Sequence, residues 1–193
     1  MISTGPLDAF FKVPSAPPSN EGDSVLYHLR VDLETLLGPE GVVCGALPPT
    51  SILAAMGLLS AIDLLGKAYR PRLASGPRFK KILADLAGLT AGETEALYQL
   101  RCGLLHAGSL FSIDRSKQEY TFTLTDRDSE PLIVSTTLSV TRVESTINFW
   151  KLKALLTTLI EGLRQRCYDD LDTEAINGVA QLAAERIAKT HVA

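Results

Sequence analysis

The chain has 193 residues, of which 46% are hydrophobic and 21% are charged, and its formal net charge at pH 7 is -3. This composition is typical of a packed globule and not of a disordered chain, and the length suits one domain with short tails. Because the net charge is negative, the molecule as a whole does not attract nucleic acid, and any such binding needs a local basic patch.

The thiols and the apolar runs indicate a soluble cytoplasmic protein. Cys44, Cys102 and Cys167 are widely spaced, which favours reduced thiols over a disulfide framework or a zinc site. The histidines are isolated as well, so we expect neither a metal nor a cofactor. The first residues lack the pattern of a secretory signal. The most apolar run, residues 52–66, is short for a membrane span and contains Asp63, so we predict a core helix and no membrane contact.

The N-terminal half of the chain is predicted to be helical after a Pro- and Ser-rich N-terminal segment. A Pro- and Ser-rich stretch predicts a flexible segment over residues 1–20, followed by a single domain over residues 21–193. Apolar residues at helical spacing predict helices over residues 22–37, 51–69 and 77–87.

A fourth helix has a clear start signal. Thr90 and Glu93 match a capping box, in which the two side chains satisfy the first free N–H groups of a helix. This helix should continue to about His106, where Gly108 permits an ending.

The periodicity then changes from that of a helix to that of a strand. Strict alternation over residues 120–125 predicts a strand that pairs with 110–113, and further strands are predicted over 132–136 and 138–143. Helices return over 146–168 and 174–189. The predicted fold is therefore a mainly α helical bundle with a small antiparallel β insertion at about 109–143.

Arg101 stands near the middle of the apolar face of the fourth helix, which is an unusual position for a charged side chain. Either its head escapes to solvent or it meets an acid, a cleft or a subunit interface. His106 follows five positions later, about 140° around a regular helix. The two side chains converge only if the helix ends or distorts there, or if a second subunit completes the pair.

Asp63 admits two interpretations. Its i, i+4 spacing from Lys67 slightly favours an ion pair within one helix. The alternative is that Asp63 is the buried acid that orients Arg101. Cys102 and His106 also share the i, i+4 spacing, but no third residue completes a Cys–His catalytic site, so a small helical thiol is the better interpretation.

Residues 67–81 contain several basic residues and no acidic ones, and they form the candidate RNA-binding patch. Tyr69 and Phe79 stand between its basic residues, which would suit phosphate contacts with base stacking, although a solvated surface is the more common meaning of such a run. The basic residues of this run are Lys67, Arg70, Arg72, Arg78, Lys80 and Lys81.

The segment Tyr98-Gln99-Leu100-Arg101-Cys102-Gly103-Leu104-Leu105-His106 resembles the signature of the HEPN superfamily of helical domains. That signature is an Arg followed, after four to six residues, by a His; here four residues intervene. The apolar helix at 58–67, the pair Arg78-Phe79 and the strand at 120–124 are also similar to HEPN-like bacterial proteins. The resemblance covers roughly residues 22–165.

The resemblance implies a helical bundle that dimerises, so that the two Arg–His motifs meet in a composite cleft. Active members are metal-independent RNA endonucleases, often toxins or antiphage effectors. On that basis Arg101 and His106 are the expected catalytic residues, and Asp63, Tyr98 and Cys102 the expected supporting ones. A homodimer is expected, with RNA and a cognate antitoxin or nucleotidyltransferase as candidate partners.

One departure from the family pattern supports an alternative function. Active members commonly carry Asn, Asp or His directly after the Arg, where this chain has Cys102. The alternative is a non-catalytic HEPN-like module for dimerisation or partner binding.

Overall fold

A computed structural model describes residues 5–12, 24–37, 51–127 and 129–190. Within these ranges the chain is mainly helical with one small sheet, which confirms the predicted fold class at that level. The helices are α1 (Gly5–Phe11), α2 (Val25–Leu37), α3 (Ser51–Tyr69), α4 (Ser75–Ala87), α5 (Ala91–Cys102), α6 (Phe149–Tyr168) and α7 (Thr173–Thr190). A π-helical segment, Gly103–Ala107, continues α5. The strands are β1 (Phe111–Ile113), β2 (Glu119–Thr125), β3 (Ile133–Ser139) and β4 (Arg142–Asn148).

Helix α3 is the central helix of the bundle and packs against α2, α4, α6 and α7. Its apolar residues lie on nearly every side, so several neighbours can bury it at once. Among the described residues it is the one helix long and apolar enough to cross a membrane by length and composition. About half of it is buried inside the fold, as in the core helix that the sequence predicts.

The start of α5 follows the predicted capping box. The Glu93 N–H donates to the Thr90 hydroxyl oxygen, and the Glu93 carboxylate accepts from the Thr90 N–H at 2.8 Å. At the other end of the helix, the Ser112 hydroxyl of β1 donates to the Gln99 side-chain oxygen. Both ends of α5 are thus fixed, which determines where its last turn lies relative to the sheet.

The N-terminal segment corrects one prediction. Residues 5–11, expected to be flexible, form α1, which contacts α2, α6 and α7. Leu7, Phe10 and Phe11 are buried in the core, at a spacing that puts them on one side of a helix. A helix of this length is not stable alone, so its order depends on that burial. The rest of the predicted flexible segment, residues 1–4 and 13–20, lies outside the described ranges apart from Lys12.

The sheet is mixed, so the prediction of an antiparallel insertion is wrong for one strand pair. The strand order is β1-β2-β4-β3, and β2 pairs with β4 in parallel while the other two pairs are antiparallel. The chain crosses from β2 to the far edge before it turns back, so the returning strand β4 enters beside β2 in the same direction. This ladder continues to the pair Thr125 and Asn148, beyond the predicted end at 143.

Helix α6 consequently begins at Phe149 and not at 146. Asn148 ends the strand and caps the helix, since its side-chain oxygen accepts from the Lys151 N–H at 3.1 Å. Its side-chain nitrogen donates to the carbonyl groups of Arg127 and Glu130. This fully buried amide therefore ties the sheet, the preceding loop and α6 together.

Candidate active site

A change of helix type brings Arg101 and His106 together within one chain. Residues 103–107 form a π-helical turn, in which hydrogen bonds join residues five apart. Arg101 Nη1 lies 3.3 Å from His106 Nε2. A regular α-helix would point these side chains about 140° apart. The helix is distorted at this point, which is one of the ways in which the sequence allows Arg101 and His106 to converge. A single protomer therefore already holds the pair.

Gly103 permits this turn to lie against the start of the sheet. A Cβ atom at this position would lie 2.7 Å from each of the carbonyl oxygens of Ser109 and Phe111. That separation is too short for any residue with a side chain. The wider turn then closes at Gly108, which has a left-handed φ of 61° and whose N–H donates to the Leu104 carbonyl group.

Arg101 is anchored from its far side by α3 and α4. Its Nη2 donates to Asp63 Oδ2 at 2.9 Å and to the Ser75 hydroxyl oxygen at 3.3 Å, while the Ser75 hydroxyl donates to Asp63 Oδ1 at 3.1 Å. Only 11% of the Arg101 side chain is exposed. The interpretation of Asp63 as the acid that orients Arg101, which the sequence pattern ranked second, therefore describes the observed contact.

Asp63 also faces a second guanidinium. Arg78 Nε lies 3.7 Å from Asp63 Oδ1, and both side chains are about four-fifths buried. One carboxylate cannot neutralise two guanidinium groups, so the cluster of Asp63, Arg78 and Arg101 keeps a positive charge. A partly buried cationic site of this kind attracts an anion more strongly than exposed cations do.

His106 lies at the open end of this arrangement, where its side chain is exposed. A guanidinium has no hydrogen-bond acceptor, so its contact with Nε2 requires the Nε2 lone pair, with the ring proton on Nδ1. The site thus runs from the mostly buried carboxylate of Asp63, through the guanidinium of Arg101, to the exposed imidazole of His106.

Tyr98 and Cys102 line the adjacent side of α5. Burial is the main cause that raises the pKa of the Tyr98 hydroxyl, and a hydrogen bond with the Cys102 thiol raises it further. The Tyr98 ring packs against Phe79 with 6.1 Å between ring centroids, and the Lys80 ammonium lies 4.7 Å from its ring centre. These contacts hold the last turn of α5 against α4, which is a supporting role.

The predicted RNA-binding run does not form one continuous basic surface. The aromatic residues that were expected to stack on bases, Tyr69 and Phe79, are buried at 1% and 0% exposure. Arg72 is exposed on the turn after α3, whereas Lys67 is half-buried. The other four basic residues face carboxylates: Arg70 with Asp172 and Glu174, Arg78 with Asp63, Lys80 with Glu95, and Lys81 with Asp85.

Ser75 is the site residue that the sequence did not single out. The sequence predicts that the third helix begins at residue 77, yet Ser75 is the first residue of α4 and Pro77 lies within its first turn. That start places the Ser75 hydroxyl between Asp63 and Arg101. The signal that could have found it is the presence of Pro near the first helical position.

No cluster of three or more His, Cys, Asp and Glu side chains suited to a metal ion occurs within the described residues. A comparison of the chain with protein-family models, curated proteins and solved structures finds no match.

Proposed function

We propose that the protein is a HEPN-like, metal-independent RNA endonuclease in which Arg101 and His106 act on the scissile phosphodiester. The observation that carries this proposal is the 3.3 Å contact between Arg101 Nη1 and the exposed His106 Nε2, which the π-helical turn creates. π-helical turns of this kind are frequent at functional sites.

The roles of Arg101 and His106 follow from which N–H groups of Arg101 already donate hydrogen bonds. Asp63 and Ser75 occupy the two N–H groups of Nη2, and His106 accepts from Nη1. Within the part of the chain that the structure describes, no contact engages the second N–H of Nη1, which lies beside the imidazole. A phosphate oxygen seated there would receive that N–H, and Arg78 behind Asp63 would add to the positive potential.

The chemistry uses the nucleophile that RNA itself supplies. An arriving phosphate draws the Arg101 N–H away from His106, whose Nε2 then takes the proton of the ribose 2′-OH. The 2′-oxygen forms a bond to phosphorus, and the bond from phosphorus to the 5′-oxygen breaks. Arg101 stabilises the charge on the phosphoryl oxygens in between. The products are a 2′,3′-cyclic phosphate and a 5′-hydroxyl group, which receives a proton from solvent or from the imidazolium.

In a homodimer, two such pairs would face one cleft, so that one imidazole serves as base while the other, protonated, serves as acid. A toxin or defence role, with an antitoxin or nucleotidyltransferase partner, belongs to the same proposal. Arg72 is exposed on the turn between α3 and α4, and under this proposal it would contact the RNA backbone.

The test is RNA cleavage in EDTA by the parent and by His106→Ala. We expect the variant to lose about 10²- to 10⁴-fold in rate. His28→Ala is the matched control, since it removes an imidazole from α2 and should keep the parent rate. Products should carry cyclic phosphate ends, and 2′-O-methyl RNA should stay intact. Equal cleavage by the parent and by His106→Ala would refute the assignment, as would cleavage of the methylated strand.

A second candidate function, a non-catalytic partner-binding module, is favoured by one specific observation. The Asp63 carboxylate and the Ser75 hydroxyl tie Arg101 into the fold, as a purely structural arginine would be tied. Under this function the parent protein leaves RNA intact at every protein concentration. Asp63→Ala would then lower the free energy of unfolding by about 2 kcal/mol, because two buried guanidinium groups lose their carboxylate, with no further consequence.

A further inference from the structure

Phe111 is the one exposed ring among the aromatic side chains of the chain, all of which lie within the described residues. It is 40% exposed, whereas the other Phe, Tyr and Trp side chains are buried or half-buried. Aromatic side chains are enriched at surfaces that bind a partner, because a large flat ring gains much from contact. The ring of Phe111 therefore calls for a ligand.

The strand pattern shows on which face of the sheet this ring lies. The Ser112 hydroxyl donates to the Gln99 side chain of α5, so the Ser112 face of β1 is the inner one. Side chains alternate along a strand, so Phe111 and Ile113 lie on the outer face. Thr121 stands opposite Phe111 in the antiparallel register, and a threonine is too small to cover the ring.

The backbone of Phe111 takes part in the contact that shapes the candidate active site. Its carbonyl oxygen is one of the two that leave no room for a side chain at Gly103. Gly103 is the first residue of the π-helical turn, and His106 lies on the same turn. The exposed ring and the exposed imidazole thus extend from neighbouring pieces of backbone whose relative position is fixed.

We infer that Phe111 is a base-stacking residue, which holds the base of a nucleotide next to the scissile phosphate of single-stranded RNA. The identity of the ligand rests on the proposed function. An aromatic side chain accepts any base, because every base has a π face. In a duplex the faces of a base are covered by its neighbours, so the ring acts only on an unpaired strand. The β insertion thereby becomes part of the RNA-binding surface and limits the substrate to single strands.

Cations lie on both sides of the ring along the chain, which favours RNA over an apolar peptide as the ligand. The cluster of Asp63, Arg78 and Arg101 keeps a positive charge behind the π-helical turn. Arg115 and Lys117 are exposed in the turn that joins β1 to β2. A phosphate backbone that passes the ring would meet cations before and after the stacked base, as in single-strand sites that combine basic residues with aromatic rings.

Carboxylates on the sheet confine this path to the β1 edge. Glu119 lies on the outer face of β2, and Glu144 lies on that of β4, where Arg142 pairs with it. Asp114 accepts hydrogen bonds from N–H groups of its own turn. The two glutamates repel phosphates from the outer face of the sheet, so the RNA strand follows the β1 edge past the ring.

The experiment compares steady-state cleavage of a single-stranded RNA by the parent and by three variants of Phe111. Phe111→Ala should raise KM about 5- to 150-fold, as expected for the loss of one base stack. Its kcat should stay nearly unchanged, because the stack forms in the ground state as well as in the transition state. Phe111→Tyr keeps a ring and should keep the parent KM. Phe111→Leu keeps the apolar bulk without a π face and should resemble Phe111→Ala.

Val134→Ala is the matched control. It shortens an exposed apolar side chain on the same face of the sheet, on the edge strand farthest from β1, and should keep the parent KM.

Binding of a 2′-O-methyl RNA strand, measured by fluorescence anisotropy, separates this inference from the proposed function. The four proteins should rank in dissociation constant as they do in KM, and a duplex of the same sequence should bind more weakly. If the parent cleaves RNA and Phe111→Ala keeps its KM, the inference fails while the proposed function stands. If the parent binds the methylated strand through Phe111 but never cleaves RNA, the proposed function fails while the inference stands. Equal binding by Phe111→Leu and the parent, which would suit an apolar protein contact, overturns the inference, as does a parent that binds no RNA.

Discussion

Gly103 carries the sharpest prediction about how the site is built. Replacement by alanine would add a Cβ atom 2.7 Å from two backbone carbonyl oxygens, those of Ser109 and Phe111. Neither oxygen belongs to a flexible side chain, so relief requires the π-helical turn and the start of β1 to move apart.

Two opposing effects set the magnitude. Alanine in a helix is favoured over glycine by about 0.5–1 kcal/mol, because glycine loses more backbone freedom on folding. Overpacking in a closely packed region costs about 1–3 kcal/mol. The clash is the larger effect, so we expect Gly103→Ala to lower the free energy of unfolding by about 1–2 kcal/mol.

Gly92 provides the matched control in the same helix. It lies in the first turn of α5, and a Cβ atom there would meet no atom within 4 Å. Gly92→Ala should therefore raise the free energy of unfolding by up to about 1 kcal/mol. Urea denaturation measures both changes. In a domain of this size each kcal/mol corresponds to about 2–4 °C in Tm, so the two variants should differ by several degrees.

The outcome also bears on the site itself. If Gly103→Ala proves as stable as Gly92→Ala, the close approach between the turn and β1 does not exist, and the reasoning that places His106 beside Arg101 fails with it. If the predicted loss is found, Gly103→Ala should also cleave RNA more slowly under the proposed function, because the turn that aligns the pair has shifted.

Two further predictions concern pH and thiol reactivity. Burial would raise the pKa of Asp172, but the Ala175 N–H and the Arg70 guanidinium outweigh it and lower the pKa below its usual value. A depressed folded-state pKa gives stability that is present above the unfolded pKa of about 3.9 and is lost as the pH falls through the folded one. Asp172→Asn should thus lower the urea midpoint at pH 7, and its effect should shrink as the pH falls below about 3.9 towards the folded-state pKa. An effect that stays constant as the pH falls would contradict the assignment. Burial raises the pKa of Cys167 to about 12, so alkylation of the native protein, mapped by mass spectrometry, should label half-buried Cys102 well before Cys167. Similar native rates would show that Cys167 is not shielded.

Local signals account for what the sequence determined by itself. The helix over Ser51–Tyr69 is predicted at both ends, because an apolar run of that length needs no distant partner to be recognised. The capping box of Thr90 and Glu93 involves residues three apart, so its geometry follows from the order of residues. The strict alternation over 120–125 likewise predicts a strand without reference to its neighbours.

Contacts between distant residues decided the rest. The order of α1 depends on a core that its own residues do not contain, and the parallel pairing of β2 with β4 depends on the path of the connection. Arg101 and Asp63 are 38 positions apart, so no local pattern could rank their contact above the nearer Lys67.

The Arg–His pair shows the division most clearly. Sequence alone places Arg101 on an apolar face and His106 about 140° away from it. The structure replaces the regular helix by a π-helical turn that lies against the carbonyl oxygens of Ser109 and Phe111, so close that only a residue without a side chain fits at position 103. The chain order supplies the two residues, and the packing of α5 against the sheet supplies the turn that brings them within 3.3 Å.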